Sequence, residues 1–200
     1  MLLLFDLLIK GLSIGTVVRI GQELPTNPQH ARLIAKWSLI LALITGIVVA
    51  VGVYFLQEFV VGLFTTDPAV LEACRRIWPY VAVHLVVEYL FCLQSYVMRA
   101  LAMQWRMALC VTVCLWGLLL PTVIWQAVRN SGGLSALWTL LPMGYAFTNA
   151  MMRCSYAYVD WNEKSMEARK KLQNLDDADF RRIEQSLLLP RDGSESMASS

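Results

Sequence analysis

Residues 37–56 read WSLILALITGIVVAVGVYFL, twenty residues without a charge. An α-helix rising 1.5 Å per residue needs about 20 apolar residues to cross a hydrocarbon core of about 30 Å. Lipid offers no partner for an open strand edge, so this span is expected to be helical. Within it Ala42, Gly46 and Ala50 recur every four residues. Such a small-residue stripe lets a second helix approach closely. Working outward, three more segments reach spanning length. Residues 77–97 carry His84 and Glu88 inside an otherwise apolar run, while 107–128 and 134–152 carry no charge. The expected fold class is all-α: a polytopic transmembrane helical bundle of about four full spans and one partial N-terminal span.

That partial span, residues 2–18, is interrupted by Asp6 and Lys10. A signal peptide would begin with a basic residue and end in a small-residue cleavage site, and neither is present. A complete span with Asp6 and Lys10 paired at i,i+4 is a second reading. The end of a longer span is the third, and it is the one preferred here. The membrane unit is then 1–158, and 159–200 is a charged tail. Residues 164–187 are patterned as an amphipathic helix, with Leu172, Leu175, Phe180, Ile183 and Leu187 near one face. It can lie on the membrane or fold against the bundle, and a solubilising tail is the plainest reading. Within it, Glu184-Gln-Ser-Leu-Leu188-Leu189 resembles an acidic dileucine sorting signal of endosomal and vacuolar proteins.

Charge gives an orientation. Three alternate regions hold Arg19, Arg32 and Lys36; Arg99 and Arg106; and Arg153, Lys164, Arg169, Lys170 and Lys171. The opposite side holds only Arg75, Arg76 and Arg129. Ten against three places the C-terminus in the cytoplasm. Trp37, Trp78, Trp125, Trp138 and Trp161 fall near span ends, where indole rings favour the interface.

Composition supports the same class. Of the 200 residues, 57% are hydrophobic and 16% charged, with a mean hydropathy of +0.52. A soluble domain carries about 25% charged residues. A net charge of +2 is too small for a nucleic-acid partner. The five cysteines make no disulfide framework. Cys110 and Cys114 have no His or carboxylate companion for a metal. Phosphate-loop, HExxH and GxSxG motifs are lacking, so an enzyme is not expected and no cofactor is implied.

His84 and Glu88 are therefore the residues with chemistry to offer. Their i,i+4 spacing puts them on one helix face, which Ser95 continues. A charge at mid-bilayer costs about 2.5–3.5 kcal/mol on insertion scales, so the pair is expected to face protein or a wet cavity. Desolvation disfavours the charged form of a carboxyl, which lets it exchange a proton under physiological conditions. A purely structural His–Glu contact is the other reading. Pro121 frees the Gly117 carbonyl and Pro142 that of Trp138, which favours a bend or a cavity lining in those spans.

The order of several short stretches resembles the multidrug and toxic compound extrusion (MATE) family. Gly11-Leu-Ser-Ile-Gly-Thr-Val-Val-Arg19-Ile-Gly21-Gln-Glu23-Leu is similar to its span ending in small residues, followed by Arg-x-Gly-Asn-Glu-Leu before a cytoplasmic loop. Leu63-Phe64-Thr-Thr-Asp67-Pro-Ala-Val70 resembles its next extracellular loop, Phe-Thr-x-Asp-x-x-Val. Tyr96-Val-Met-Arg99 is similar to its Val-Leu-Arg-Gly, and Pro121 fits the proline of the following span. The likeness runs over residues 11–150. It departs at Pro25-Thr-Asn27-Pro28, where the family has a glycine-rich turn. It departs again at Ala100-Leu-Ala102 in place of Gly-x-Gly, where the turn is expected to be made differently.

The resemblance implies twelve spans in two pseudo-symmetric lobes. It places Gly11 near the end of span eight, Met1 inside that span, and the four clear segments as spans nine to twelve. Eukaryotic members carry a glutamate on span ten, eleven residues before the arginine, and Glu88 stands eleven before Arg99. The implied role of Glu88 is a cation-binding and proton-coupling carboxylate, with His84 beside it. The implied activity is antiport of H+, with Na+ as second choice, against an organic cation or other xenobiotic. The partners would be the lipid bilayer, a small organic substrate, and an N-terminal lobe or second half-unit. The expected site is the plasma membrane or a vacuolar or endosomal membrane. A small accessory or structural multi-pass protein, or a half-transporter remnant, is the alternative.

Overall fold

A computed structural model describes the backbone of residues 2–63, 65, 67–129 and 133–188, and their side chains except those of 2–6, 128–129 and 182–188. Asp6, Phe64, Thr66, Ile183, Leu187 and the dileucine stretch therefore lie outside the described side chains. The described residues are helical and contain no strand. In order they form α1 (Leu2–Glu23), α2 (Pro28–Phe55), α3 (Gln57–Gly62), α4 (Pro68–Ala100), α5 (Gln104–Val111), α6 (Leu120–Ile124), α7 (Gly133–Ala157) and α8 (Trp161–Leu188). Two π-helical stretches, Thr112–Leu119 and Trp125–Arg129, flank α6 and join it to α5 in one continuous helix.

Local chemistry sets the ends. Asn27 caps α2 by accepting from the His30 amide at 3.1 Å, and Pro28 occupies the first helical position. Asp67 does the same for α4, accepting from the Ala69 amide at 2.9 Å ahead of Pro68. The Thr-Thr-Asp-Pro stretch is thus a helix-start signal. Both helices outrun the apolar segments read from sequence. At 1.5 Å per residue the 28 residues of α2 extend roughly 42 Å and the 33 of α4 roughly 50 Å, longer than a bilayer core. α1 likewise continues beyond residue 18, through Arg19 to Glu23. Among the described residues, three stretches are long and apolar enough to cross a membrane: α2, α4, and the α5–α6 helix over residues 104–127. α7 has the length, at 25 residues, but carries Ser135, Thr139, Thr148, Asn149 and Ser155.

α4 is the axis of the bundle, touching α1, α2, α5 and α7. Against α2 it meets the small-residue stripe: Ala42 is fully buried, Ala50 is buried, and a Cβ on Gly46 would stand 3.1 Å from Tyr89 Cβ and 3.4 Å from Val86 Cα. The missing side chain is what brings the helices together. At the end of this seam the Trp78 indole donates to the Val53 carbonyl at 3.0 Å. Facing away from the core, Ile44, Val48 and Val51 of α2, and Leu109, Trp116 and Ile124 of the α5–α6 helix, are exposed. Apolar surface on that scale belongs against lipid.

Between α4 and α7 the contact is polar. Gln94 Nε2 donates to Asn149 Oδ1 at 3.0 Å, Asn149 Nδ2 donates to the Val87 carbonyl at 2.8 Å, and the Tyr156 hydroxyl donates to Gln94 Oε1 at 3.5 Å. All three side chains are buried.

Pro121 has no N–H to give the Gly117 carbonyl, and the ladder around it shifts register: the Leu120 amide bonds to the Leu115 carbonyl, five residues back. The Thr122 hydroxyl then donates to the Leu118 carbonyl at 2.6 Å. α7 passes close by: a Cβ on Gly144 would fall 2.6 Å from a Leu119 methyl.

The turn after α4 corrects the expectation drawn from Ala100-Leu-Ala102. Ala102 adopts φ +55°, its amide bonds to the Arg99 carbonyl at 3.0 Å, and the Met103 amide bonds to the Met98 carbonyl at 2.8 Å. This is the Schellman arrangement that a glycine favours, made with an alanine. Arg99 supports the same end, its guanidinium lying over the Tyr96 ring at 4.9 Å.

Among the described residues, α8 docks through its first turns. The Ser165 hydroxyl donates to the Pro25 carbonyl at 3.3 Å, and the Arg169 guanidinium donates to the carbonyls of Pro25 and Thr26. Trp161 is buried there, not exposed as an interfacial indole. Met166, Leu172, Leu175 and Phe180 remain exposed. Glu167 is half-exposed, and the ammonium of Lys164, bonded to it at 2.7 Å, lowers its carboxyl pKa below the usual value.

Three substitutions test this account through thermal unfolding in detergent. Gly46→Leu overpacks the α2–α4 seam and costs about 1–3 kcal/mol. Asn149→Ala leaves Gln94 and the Val87 carbonyl short of a partner and costs about 0.5–2 kcal/mol. Ala102→Gly relieves the left-handed residue and gains about 1 kcal/mol, raising Tm.

Candidate functional site

Glu88 lies near the middle of the apolar run 77–97 on α4, with His84 one turn before it. The imidazole Nε2 stands 3.8 Å from the Glu88 carboxylate. This is an ion-pair distance when His84 is protonated and too long for a hydrogen bond. The two differ in exposure: the His84 side chain is 12% exposed and that of Glu88 is 44%. His84 Nδ1 is buried without a hydrogen-bond partner among the described residues.

Aromatic rings surround the imidazole. Tyr145 of α7 meets it edge to face at a centroid distance of 4.9 Å, and Trp138 of α7 does so at 6.2 Å. Phe91, one turn beyond Glu88 and two beyond His84 on α4, packs edge to face on Tyr145 at 5.1 Å. A carboxylate beside ring faces is the chemistry that holds an organic cation: one partner neutralises its charge, and the quadrupoles of the rings attract it. Among the described residues, no three His, Cys, Asp or Glu side chains converge as for a metal ion.

Of the residues singled out from sequence, His84 and Glu88 stand together. Ser95 is buried two turns away, its hydroxyl donating to the Phe91 carbonyl at 2.8 Å. Pro121 is exposed on the α5–α6 helix between its two π-helical stretches, apart from the pair. Pro142 is buried within α7. His30 is half-exposed and sits 3.2 Å from the Glu23 carboxylate.

The sequence reading missed the α7 contribution. Tyr145 and Asn149 lie on a segment read as an apolar span, and Trp138 reads as an interfacial indole, although an Asn and a Tyr one turn apart inside such a run mark an inward face. Gln94 on α4 gave the same signal.

The comparisons with known proteins follow this geometry. The family description MatE matches residues 1–125. Among solved structures, the crystal structure of the eukaryotic MATE transporter AtDTX14 superposes with a TM-score of 0.76 at 19% identity. The match covers 82% of this chain and 37% of that protein, so the chain spans a little over a third of its length. No match was found among curated proteins. With the family match reaching well past half of the 200 residues, and apolar helices of spanning length, this multi-pass membrane protein belongs to the MatE family.

Proposed function

We propose that the chain forms one lobe of a secondary transporter in which Glu88 binds either a proton or a cationic substrate, so that competition for the carboxylate couples the two fluxes. The observation that carries this reading is the 44% exposure of Glu88 on a helix long enough to span the bilayer. An ionised carboxylate facing acyl chains is unfavourable by about 2.5–3.5 kcal/mol or more. Water or another protein surface must therefore cover that side of α4. A central cavity between two lobes supplies both, and rocking of the lobes alternates its access.

The neighbours of Glu88 fit the role. His84 stands 3.8 Å from the carboxylate, close enough to pair with it when protonated. Tyr145, Phe91 and Trp138 offer ring faces and edges for an organic cation or a flat xenobiotic. The coupling ion is H+, with Na+ the second choice. Ser95 and Pro121 keep secondary parts: Ser95 fixes the α4 backbone below the site, and Pro121 loosens the helix that flanks α7. Basic residues gather at the Arg19, Arg99 and Arg153 ends, which faces them and the C-terminus to the cytoplasm. The activity requires a second lobe, on the same or another polypeptide. A vacuolar, endosomal or plasma membrane suits such a pump.

The test is efflux of a fluorescent organic cation from proteoliposomes holding this lobe together with its second lobe. In Glu88→Gln, pH-driven efflux falls to the uncoupled background, while protein yield stays within about a factor of two. Glu88→Asp retains a reduced rate. Undiminished pH-driven efflux in Glu88→Gln would remove the carboxylate from the mechanism and favour a structural role for the His84–Glu88 pair.

A further inference from the structure

A second cavity lies well away from Glu88, at the basic end of the bundle. It has a volume of about 420 Å³ and opens between α2, α7 and the start of α8. Three cations line it: Arg32 and Lys36, one turn apart on α2, and Arg153 on α7. No carboxylate lines it, and no acidic group lies within ion-pair distance of these cations among the described residues. Asp160 lies beside Arg32 in an adjoining hollow, with its carboxylate engaged by the Asn162 amide at 2.8 Å. Tyr156 stands on the same wall, its hydroxyl donating to Gln94 Oε1 at 3.5 Å. Gln29 and the buried Trp161 complete the polar wall.

The rest of the lining is apolar, with Leu33, Ala35 and Leu39 on α2. Leu33 is half-exposed and leads onto the exposed face of Ile40 and Ile44. Depth is the deciding feature. The apolar run of α2 begins at residue 37 and that of α7 ends at 152, so Lys36 and Arg153 each stand one residue outside those runs, with Arg32 one turn further. Three cations at headgroup level, above a greasy floor that continues along a lipid-facing helix, match a ligand with an anionic head and an acyl body.

We infer that this pocket binds the phosphorylated headgroup of an anionic lipid. Arg32, Lys36 and Arg153 hold the phosphate, and the acyl chains run down the Leu33 side of α2. Bound there, the lipid ties α2 to α7 and to the first turn of α8. A free phosphate ester would use the same three cations but gain nothing from the apolar floor.

The purified chain in detergent, titrated with phosphatidylinositol phosphate and followed by native mass spectrometry, tests the site. Phosphatidylcholine and soluble glycerol phosphate form the other arms. The expected result is one tightly held phosphatidylinositol phosphate and little phosphatidylcholine. Affinity should fall about fivefold for each cation removed, and on the order of a hundredfold in the triple variant Arg32→Gln, Lys36→Gln, Arg153→Gln. The variant Arg75→Gln, Arg76→Gln, with its charges at the opposite end, should bind as before. Should the triple variant not give monodisperse protein, Lys36→Gln alone is read for its fivefold loss. Glycerol phosphate competing as well as the intact lipid would overturn the lipid assignment in favour of free phosphate. Undiminished lipid binding in both the triple variant and Lys36→Gln would overturn the site itself.

Discussion

Hydrocarbon supplies no hydrogen-bond partners, and the architecture of this chain follows from how α4 meets that condition. Lipid tails are as apolar as leucine, so burial against another helix gains little from the hydrophobic effect. Close packing and satisfied polar groups must hold the bundle together instead. α4 uses the first on its α2 side, where Gly46 lies against Tyr89. It uses the second on its α7 side, where Gln94 and the Val87 carbonyl share Asn149. A helix with both kinds of seam has its rotation about its own axis fixed. Glu88 stands on α4 beside the α7 seam, one residue after Val87.

That division places the candidate site. Asn149 bonds to the carbonyl of the residue just before Glu88, and Tyr145 stands one turn earlier on the same α7 face, with its ring on His84 and Phe91. The hydrogen bond of Asn149 therefore sets where the rings lie relative to the carboxylate. A rotation of α7 that moved Tyr145 away would also break the amide pair. The chemistry of one turn is positioned by the polar contact of the next. This is the way a membrane protein holds a site rigid without a loop scaffold.

Much of the fold was legible in the sequence, for local reasons. A twenty-residue apolar run admits one backbone conformation in lipid, and the stripe at Ala42, Gly46 and Ala50 reads directly as a contact face. Asp67-Pro68 and Asn27-Pro28 announce helix starts in four letters. His84 and Glu88 stood out because ionisable groups in an apolar run are costly. What the sequence concealed was partnership. Gln94 and Asn149 are 55 positions apart, and nothing local says that they meet. Trp161 looks like an interfacial indole by its position, yet α8 turns back over the loop at Pro25 and buries it. Ala102 occupies a left-handed turn that its side chain disfavours. The two closing hydrogen bonds of the Schellman turn, together with Arg99 on Tyr96, hold it there.

The distribution of stiffness follows the same physics. α1, α2 and α4 enclose the core through small or fully buried residues, with Ser13, Ala31 and Leu93 wholly excluded from solvent. The α5–α6 helix is different. It carries a proline between two π-helical stretches, its apolar side chains face outward, and its interlock with α7 includes Leu119 lying over the bare Gly144. Mid-helix π turns give up regular hydrogen bonding and bend more readily than an α-helix. This arrangement suits the rocking lobe of the proposed transport cycle, which would have to keep its binding groups in register. The carboxylate and its aromatic neighbours belong to the interlocked part, and the pliant helix borders it on the far side of α7. Deformation there changes the outline of the lobe while the Glu88–Tyr145 geometry, tied down through Asn149, is preserved.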